Sequence, residues 1–343
     1  MAAEEVPTFT ILEPEVYLPL LTNWYPRLGK GTGLSVVKGG WANSNYCYQT
    51  ANGTRYLLKV CDEKSYDELL VQAAVLERLR MAQFPCPYVH PFGDAVRDLH
   101  GTSEAARCVL QVDSPMSLRI MLYDYLPGAP GVAATVTPWM MRGLGRALGK
   151  LHAVDLSLLP CTPPAYPIGA PVIREFLASR ASETTVHEFE GWLATQMGLL
   201  GPLVEDPRLP QGLLHGDLFP DNAMFDAATA QLVGVLDFEE ASLGPLALDV
   251  GMTIVGCAYP SDNALDVALA REMLAAYQAV RPLSALERAS LSAFVSFAAI
   301  SIAFWRYRQF NIRHPEVGRP DHYRIMYERA MAVPADLFKL LTE

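Results

Sequence analysis

One stretch of this chain gathers residue types that could carry chemistry. It reads Gly212-Leu213-Leu214-His215-Gly216-Asp217-Leu218-Phe219-Pro220-Asp221-Asn222-Ala223-Met224-Phe225, and inside it lies the pattern H-x-D-x-x-x-x-N. Phosphoryl transfer to a hydroxyl needs a carboxylate beside the nucleophilic oxygen, to orient it and take its proton. It also needs oxygen ligands for the magnesium ions that neutralise the developing charge. Asp217 suits the first task, and Asn222, five residues later, suits the second. Fifteen residues beyond Asn222 stands Asp237, in Leu236-Asp237-Phe238-Glu239. The residues between read as a hairpin: Ala223-Met224-Phe225, a turn at Asp226-Ala227-Ala228, then Gln231 through Leu236. Such a hairpin carries Asp237 back beside Asn222, and a hard cation takes two such ligands together with phosphate oxygens and water. A loop aspartate is most often a cap or turn residue, and each short string alone is weak. The combination of pattern, hairpin length and following aspartate is what points to phosphoryl transfer.

That chemistry also needs a cation on the nucleotide phosphates and a cover over them. Lys59 lies in Tyr56-Leu57-Leu58-Lys59-Val60, where alternation would otherwise want an uncharged inward residue. Upstream, Val37-Lys38-Gly39-Gly40-Trp41-Ala42-Asn43-Ser44-Asn45-Tyr46 joins two strands with small residues able to approach phosphates, Gly40, Ser44 and Asn45 among them. It is not a G-x-G-x-x-G loop. A lysine at a solvated strand edge is the bland alternative for Lys59.

The elements that must position these groups fall into two kinds. Before residue 126 the reading is mixed: a helix over 15–25, strands over 34–37, 45–49 and 55–60, a helix over 65–81 and strands over 108–112 and 117–123. Asn52-Gly53 supplies the turn between the second and third strands, since both residues tolerate positive φ. Leu126-Pro127-Gly128-Ala129-Pro130-Gly131 breaks all periodicity and marks a boundary. Beyond it, 139–152, 173–181, 186–200, 264–280, 286–309 and 320–332 favour helix. The expected domains are an N-terminal nucleotide-binding lobe over 1–125 and a helical lobe over 126–343 with the catalytic loop and substrate site.

Composition narrows the partners. The chain has 343 residues, 51% hydrophobic and 19% charged, enough to bury a sizeable core. A formal charge of −10 argues against nucleic acid and against an anionic membrane surface. Six dispersed cysteines with no C-x-x-C pair read as reduced thiols. No signal peptide is visible over residues 1–15, and the longest apolar stretch, 291–305, reads as a buried helix too short to span a bilayer. The expectation is a cytoplasmic protein acting on a small molecule.

With these residues in order, the chain resembles the aminoglycoside phosphotransferase and choline kinase superfamily. The resemblance runs through Lys59, Leu148-Gly149-Lys150-Leu151-His152, His215-Gly216-Asp217, Asp237 and Leu248-Asp249-Val250. It implies an α+β, protein-kinase-like bilobal fold with a small antiparallel-sheet N-lobe and a mainly helical C-lobe. It further implies ATP and Mg as cofactors, Asp217 as catalytic aspartate, Asn222 and Asp237 as metal ligands, and Lys59 on the phosphates. His215 and Asp249 would brace the catalytic loop, and the stretch 121–125, with Tyr123 and Tyr125, would offer backbone hydrogen bonds to adenine. Within the superfamily the chain is most similar to the bacterial-type homoserine kinase branch. The strings that carry this are Asn43-Ser44-Asn45-Tyr46, Thr50 through Tyr56, Phe84-Pro85-Cys86-Pro87, His215 through Asn222, Phe304-Trp305-Arg306-Tyr307-Arg308 and Arg319-Pro320-Asp321-His322-Tyr323. Three features depart from that branch. Gly216 stands where alanine is usual, the segment from Glu239 to Pro245 follows the wider family, and Gln72 stands where a glutamate commonly pairs with the lysine, with Glu68 and Glu77 nearby.

Homoserine presents an ammonium, a carboxylate and the acceptor hydroxyl. Glu239, Glu240 and Asp221 are the acidic candidates for its ammonium, and Arg308 is the basic candidate for its carboxylate, because a guanidinium grips a carboxylate in two places. A surface salt bridge is the alternative for Arg308. Another amino alcohol, a sugar or an aminoglycoside remains a possible acceptor, and a non-catalytic binding protein of this fold is the other class. A protein kinase is disfavoured because no A-P-E string follows Asp237.

Overall fold

The computed structural model describes residues 10–37, 43–93, 106–180, 187–260 and 263–343. The chain forms two compact units, Met1–Leu126 with Leu158–Thr162, and Pro127–Ser157 with Pro163–Glu343.

The first unit is built on a five-stranded antiparallel sheet. Helix α1 (Pro14–Trp24) leads into β1 (Gly31–Val36), β2 (Ser44–Thr50), β3 (Arg55–Val60), helix α2 (Tyr66–Met81), β4 (Leu110–Val112) and β5 (Leu118–Asp124). The strand order is β1-β2-β3-β5-β4. Period-two alternation sorts its residues onto two faces. Tyr46, Tyr48, Tyr56, Leu58, Val60, Leu118, Ile120 and Leu122 form one buried cluster with Tyr17, Leu21, Trp24 and Tyr25 from α1 and its exit. Asn45, Leu57, Lys59, Met121 and Tyr123 share the alternate parity, with Lys59 paired across the strands to Asn45 on one side and Met121 on the other. The Asn52-Gly53 turn forms as expected, with Gly53 at φ 84 and the Asn52 side chain accepting from the Thr54 N–H at 3.0 Å. Helix α2 starts at a reciprocal capping box: Ser65 Oγ accepts from the Glu68 N–H, and the Glu68 carboxylate accepts from the Ser65 N–H at 2.8 Å.

The second unit is mainly helical. It runs through β6 (Ala129–Pro130), α3 (Pro138–Leu151), α4 (Ala170–Ser179), α5 (Glu188–Val204), β7 (Gln211–Leu214), β8 (Ala223–Asp226), β9 (Gln231–Val235), β10 (Ser242–Pro245), α6 (Leu246–Cys257), α7 (Val267–Gln278), α8 (Ala285–Tyr307), α9 (Arg324–Ala332) and α10 (Leu337–Thr342). The strands form a β10–β7 pair and a β6-β8-β9 sheet. Its core is the paired helices. All twelve residues of α6 are buried, and α6 lies against α8 so closely that a Cβ on Gly251 would come within 2.6 Å of the Phe294 carbonyl oxygen. The apolar stretch expected over 291–305 belongs to a longer element. With its π-helical continuation, Ala285–Arg313 is long and apolar enough to cross a membrane, yet 67% of its most apolar window is buried inside the protein, as a core helix would be. The expected helix over 320–332 begins only at Arg324, after a turn.

Candidate active site

β7 delivers the chain to the loop that holds Asp217, and that loop is pinned from beneath. The fully buried Asp249, in the first turn of α6, accepts from the backbone N–H of His215 at 2.6 Å and of Gly216 at 2.9 Å. The same carboxylate lies 3.3 Å from His152 Nε2, and the other ring nitrogen of His152 lies 2.8 Å from the Tyr277 hydroxyl. The Leu-Gly-Lys-Leu-His string now has a physical meaning. Gly149 lets α3 close on α7, since a Cβ there would meet the Val280 Cβ at 2.8 Å, and this approach sets His152 against Asp249 and Tyr277. His215 is fully buried; its Nε2 donates to the Leu236 carbonyl at 2.7 Å and its Nδ1 accepts from the Asp217 N–H at 3.3 Å. Burial lowers its pKa, so the neutral ring with the proton on Nε2 is the form these partners fit. Gly216 has φ +82, and a Cβ there would come within 2.7 Å of the Glu240 carbonyl oxygen. This backbone favours glycine, which has no Cβ to meet that carbonyl.

The hairpin expected between Asn222 and Asp237 forms, with Ala223 paired to Val235 and the Leu236 N–H donating to the Asn222 carbonyl at 2.8 Å. Asn222 Nδ2 donates to the Asp217 carboxylate at 3.0 Å and to its backbone oxygen at 2.8 Å. Both bonds use the amide nitrogen, so the amide oxygen is turned the other way. Asp237 adopts a left-handed conformation, φ 58 and ψ 63, which few side chains accept and aspartate tolerates. The Asp217 carboxyl is raised well above its ordinary pKa, first by burial and then by the fields of Asp237, Asp221 and Glu240; Asn222 opposes this. Asp221 is raised as well, by burial and Asp237. Carboxylates this crowded call for a cation. Among the described residues no three His, Cys, Asp or Glu side chains could hold a metal unaided. Asn222 and Asp237 fit a hard cation that draws its other oxygens from phosphate and water. Glu239 sits half-buried in the turn Phe238–Glu240, whose Phe238 ring packs on His215 at 4.7 Å.

In the first unit, Lys59 is buried and shares its sheet face with Asn45 and Tyr123. Gly40 lies outside the described residues. The Ser44 hydroxyl is engaged within the fold, donating to Asp62 at 2.8 Å and accepting from the Thr10 N–H at 2.8 Å. The two glutamates near Gln72 are also engaged: Glu68 in the capping box and Glu77 with Arg80 at 2.6 Å. Gln72 itself is buried and reaches the Tyr123 hydroxyl at 3.4 Å. Of the stretch 121–125, the residues up to Asp124 are flanked by β3 on one side, while His90 N–H donates to Leu122 and Asp124 N–H donates to Tyr88 on the other. Tyr125, the first residue past the strand, lies under the Arg55 guanidinium at 4.6 Å.

Arg308 and Arg306 part company. Arg308 lies over the Phe304 ring at 5.4 Å, and its pKa is lowered by burial and by Arg313. Arg306 is the arginine that shares the field of Asp217. Sequence reasoning also passed over Tyr166. Its ring is buried, packed where a Cβ on Gly216 would meet it at 3.3 Å, and its hydroxyl has no partner among the described residues. Nothing in the Pro-rich segment around Tyr166 signals this position, which depends on the Ala165–Leu243 bridge to β10.

A family model described as the phosphotransferase enzyme family matches residues 33–288. A homoserine kinase of Methylobacillus flagellatus is 27% identical over 307 residues, covering 86% of this chain and 85% of the relative. One of Rhodopseudomonas palustris is 29% identical over 275 residues, covering 79% and 77%. Among solved structures, an amicoumacin kinase in complex with AMP-PNP, Ca2+ and Ami aligns with a TM-score of 0.67 at 15% identity, over 96% of this chain and 97% of that one. A microcompartment-associated aminopropanol kinase gives 0.66 at 17% identity, over 94% and 100%. At such identities the structures speak for the fold, the protein-kinase-like α+β fold expected from the sequence. The family match runs from β1, through the Asp217 loop and the β8–β9 hairpin, into α8, and this chain belongs to the phosphotransferase enzyme family.

Proposed function

We propose that this protein is a cytoplasmic kinase that transfers the terminal phosphoryl group of ATP, with Mg, to the hydroxyl of a small molecule, and that L-homoserine is the acceptor. The observation that carries this reading is Asp217 held by Asn222 with Asp237 beside it. Bound Mg·ATP supplies the phosphoryl group and a counter-charge for the carboxylates. Asp217 accepts the hydroxyl proton, Asn222 turns it toward the acceptor, and the Asn222 amide oxygen and Asp237 hold the metal. Lys59 and Asn45 serve the phosphates, and the backbone at Tyr125 serves adenine. Glu239 is the proposed partner of the acceptor ammonium. Relatives named homoserine kinase favour that acceptor, and a neighbour named aminopropanol kinase favours an amino alcohol as the second choice.

The test is ADP release with Mg and ATP against homoserine, choline, ethanolamine, hydroxylysine, sugars and kanamycin. Turnover of homoserine above the rest is the expected result. Turnover of another member alone discards the homoserine assignment, and silence on all of them discards the kinase. Asp237→Ala is expected to weaken Mg-dependent ATP binding at least about 10-fold, roughly 1.4 kcal/mol. Equal ATP affinity in the variant, measured by calorimetry with and without Mg, rules out Asp237 as a metal ligand.

A further inference from the structure

The last turn of α8 places a cation, Arg306, that no carboxylate pairs with among the described residues. Arg306 is partly buried, and the hydrogen bond it forms is a long one, from Nη1 to the His322 carbonyl at 3.4 Å. A guanidinium has five N–H donors, and burying it without a carboxylate is costly. Among the described residues no carboxylate forms an ion pair with Arg306. Its cationic neighbour Arg329, on α9, is satisfied: it donates to the Val255 carbonyl at 2.7 Å and to Asn263 at 2.6 Å, and lies over the Tyr259 ring at 4.6 Å. Beside Arg306, the His322 ring has a buried Nδ1 with no partner among the described residues.

The end of α6 that Arg329 holds is tied to the Asp217 loop by packing. Cys257 Sγ, at the end of α6, donates to the Leu218 carbonyl at 3.7 Å. A Cβ on Gly256 would meet the Phe219 ring at 2.8 Å. Arg329 grips the same end of α6 through Val255. The fields agree with this packing. Burial and Arg329 push Arg306 down to about 10 while Asp217 pulls it back up, and burial with Arg306 and Arg319 pushes His322 down to about 4. His322 is therefore neutral at ordinary pH, with a ring N–H to offer.

We infer that Arg306, with His322 beside it, grips a carboxylate on the acceptor, so that the substrate is a hydroxy acid or hydroxy amino acid and not a polycation. This rests on the kinase reading above and goes further, because it names the residue that recognises the substrate class and passes over Arg308. An amino alcohol without a carboxylate leaves Arg306 unpaired and loses a charge-assisted contact.

The test uses two acceptors that differ only by the carboxylate, L-homoserine and 3-aminopropan-1-ol, with saturating Mg·ATP. The wild-type protein is expected to favour homoserine in kcat/KM. Arg306→Gln is expected to lower kcat/KM for homoserine about 10–100-fold, mainly through KM, the worth of a charged hydrogen bond. It leaves 3-aminopropan-1-ol and the KM for ATP within about 3-fold, and Arg306→Lys recovers part of the loss. Calorimetric binding of both acceptors in the presence of Mg·AMP-PNP keeps the two readings apart. Carboxylate-dependent binding that Arg306→Gln abolishes, without turnover of either acceptor, overturns the kinase reading and upholds the grip. Several results overturn the grip and leave the kinase: a wild-type protein indifferent to the carboxylate, an equal loss on both acceptors with a lowered melting temperature, a raised KM for ATP, or a loss found in Arg308→Gln instead.

Discussion

Asp217→Asn is expected to lower turnover about 10²–10⁴-fold, the usual worth of a positioned acid–base group, and at the same time to raise the melting temperature of the ligand-free protein. The two effects share one cause. Burial and the fields of Asp237, Asp221 and Glu240 lift the Asp217 carboxyl above its ordinary pKa. A carboxyl lifted in the folded state binds its proton more tightly there than in the unfolded chain. Its contribution is therefore most favourable below the unfolded value of about 3.9, and it is lost as pH rises through the folded pKa. Above the unfolded value the carboxyl therefore opposes folding, through the cost of keeping either its charge or its proton, and asparagine, which keeps the shape, removes the opposition. Melts of both proteins between pH 5 and pH 8, without nucleotide or metal, should show the variant gaining on its parent by a few degrees as pH rises. Adding Mg with AMP-PNP should narrow the gap, because the cation supplies what the carboxylates lack. Near-parental turnover would sink the proposed role of Asp217. A variant that melts below its parent across this range would show that the carboxylates are not in conflict.

What the sequence could show of this site follows from how local each relation is. Asp217, Asn222 and Asp237 stand within twenty-one positions, joined by one loop and one hairpin, so pattern and turn chemistry suffice to bring them together. The sheet faces were legible for the same reason: alternation along β2, β3 and β5 sorts Lys59 and Asn45 away from the tyrosine-rich core. Relations across the fold were not legible. Arg306 and Arg308 look equivalent in the sequence, yet two residues on a helix point about 200° apart, and only packing decides which one shares the field of Asp217. Ser44 reads as a phosphate-loop residue until Asp62, eighteen positions on, engages its hydroxyl. The extent of α8 was legible, by contrast: the helix expected over 286–309 runs Ala285–Tyr307, because its apolar periodicity is local and burial against α6 and α9 sustains it.

Asp249→Ala is expected to be the most destabilising single change near the site, and its signature is the reverse of the Asp217 variant's. One buried carboxylate satisfies the N–H groups of His215 and Gly216 and faces His152 at 3.3 Å. Alanine leaves two backbone donors and an imidazole nitrogen with no acceptor in a place water does not reach, a loss of about 3–5 kcal/mol. The Gly216 backbone at φ +82 is held by that same acceptor, so the loop should relax and carry Asp217 out of register with Asn222. Turnover should fall together with stability, whereas Asp217→Asn separates them. Asp249→Asn should lie between the parent and alanine, because one amide oxygen replaces two carboxylate oxygens and its NH2 turns toward N–H donors. Denaturant melts of the three proteins, run beside their kinetics, give the ranking. An alanine variant as stable as its parent would mean that the loop is held from elsewhere. One that loses stability but keeps full turnover per folded molecule would mean that Asp249 supports the fold without setting the geometry of Asp217.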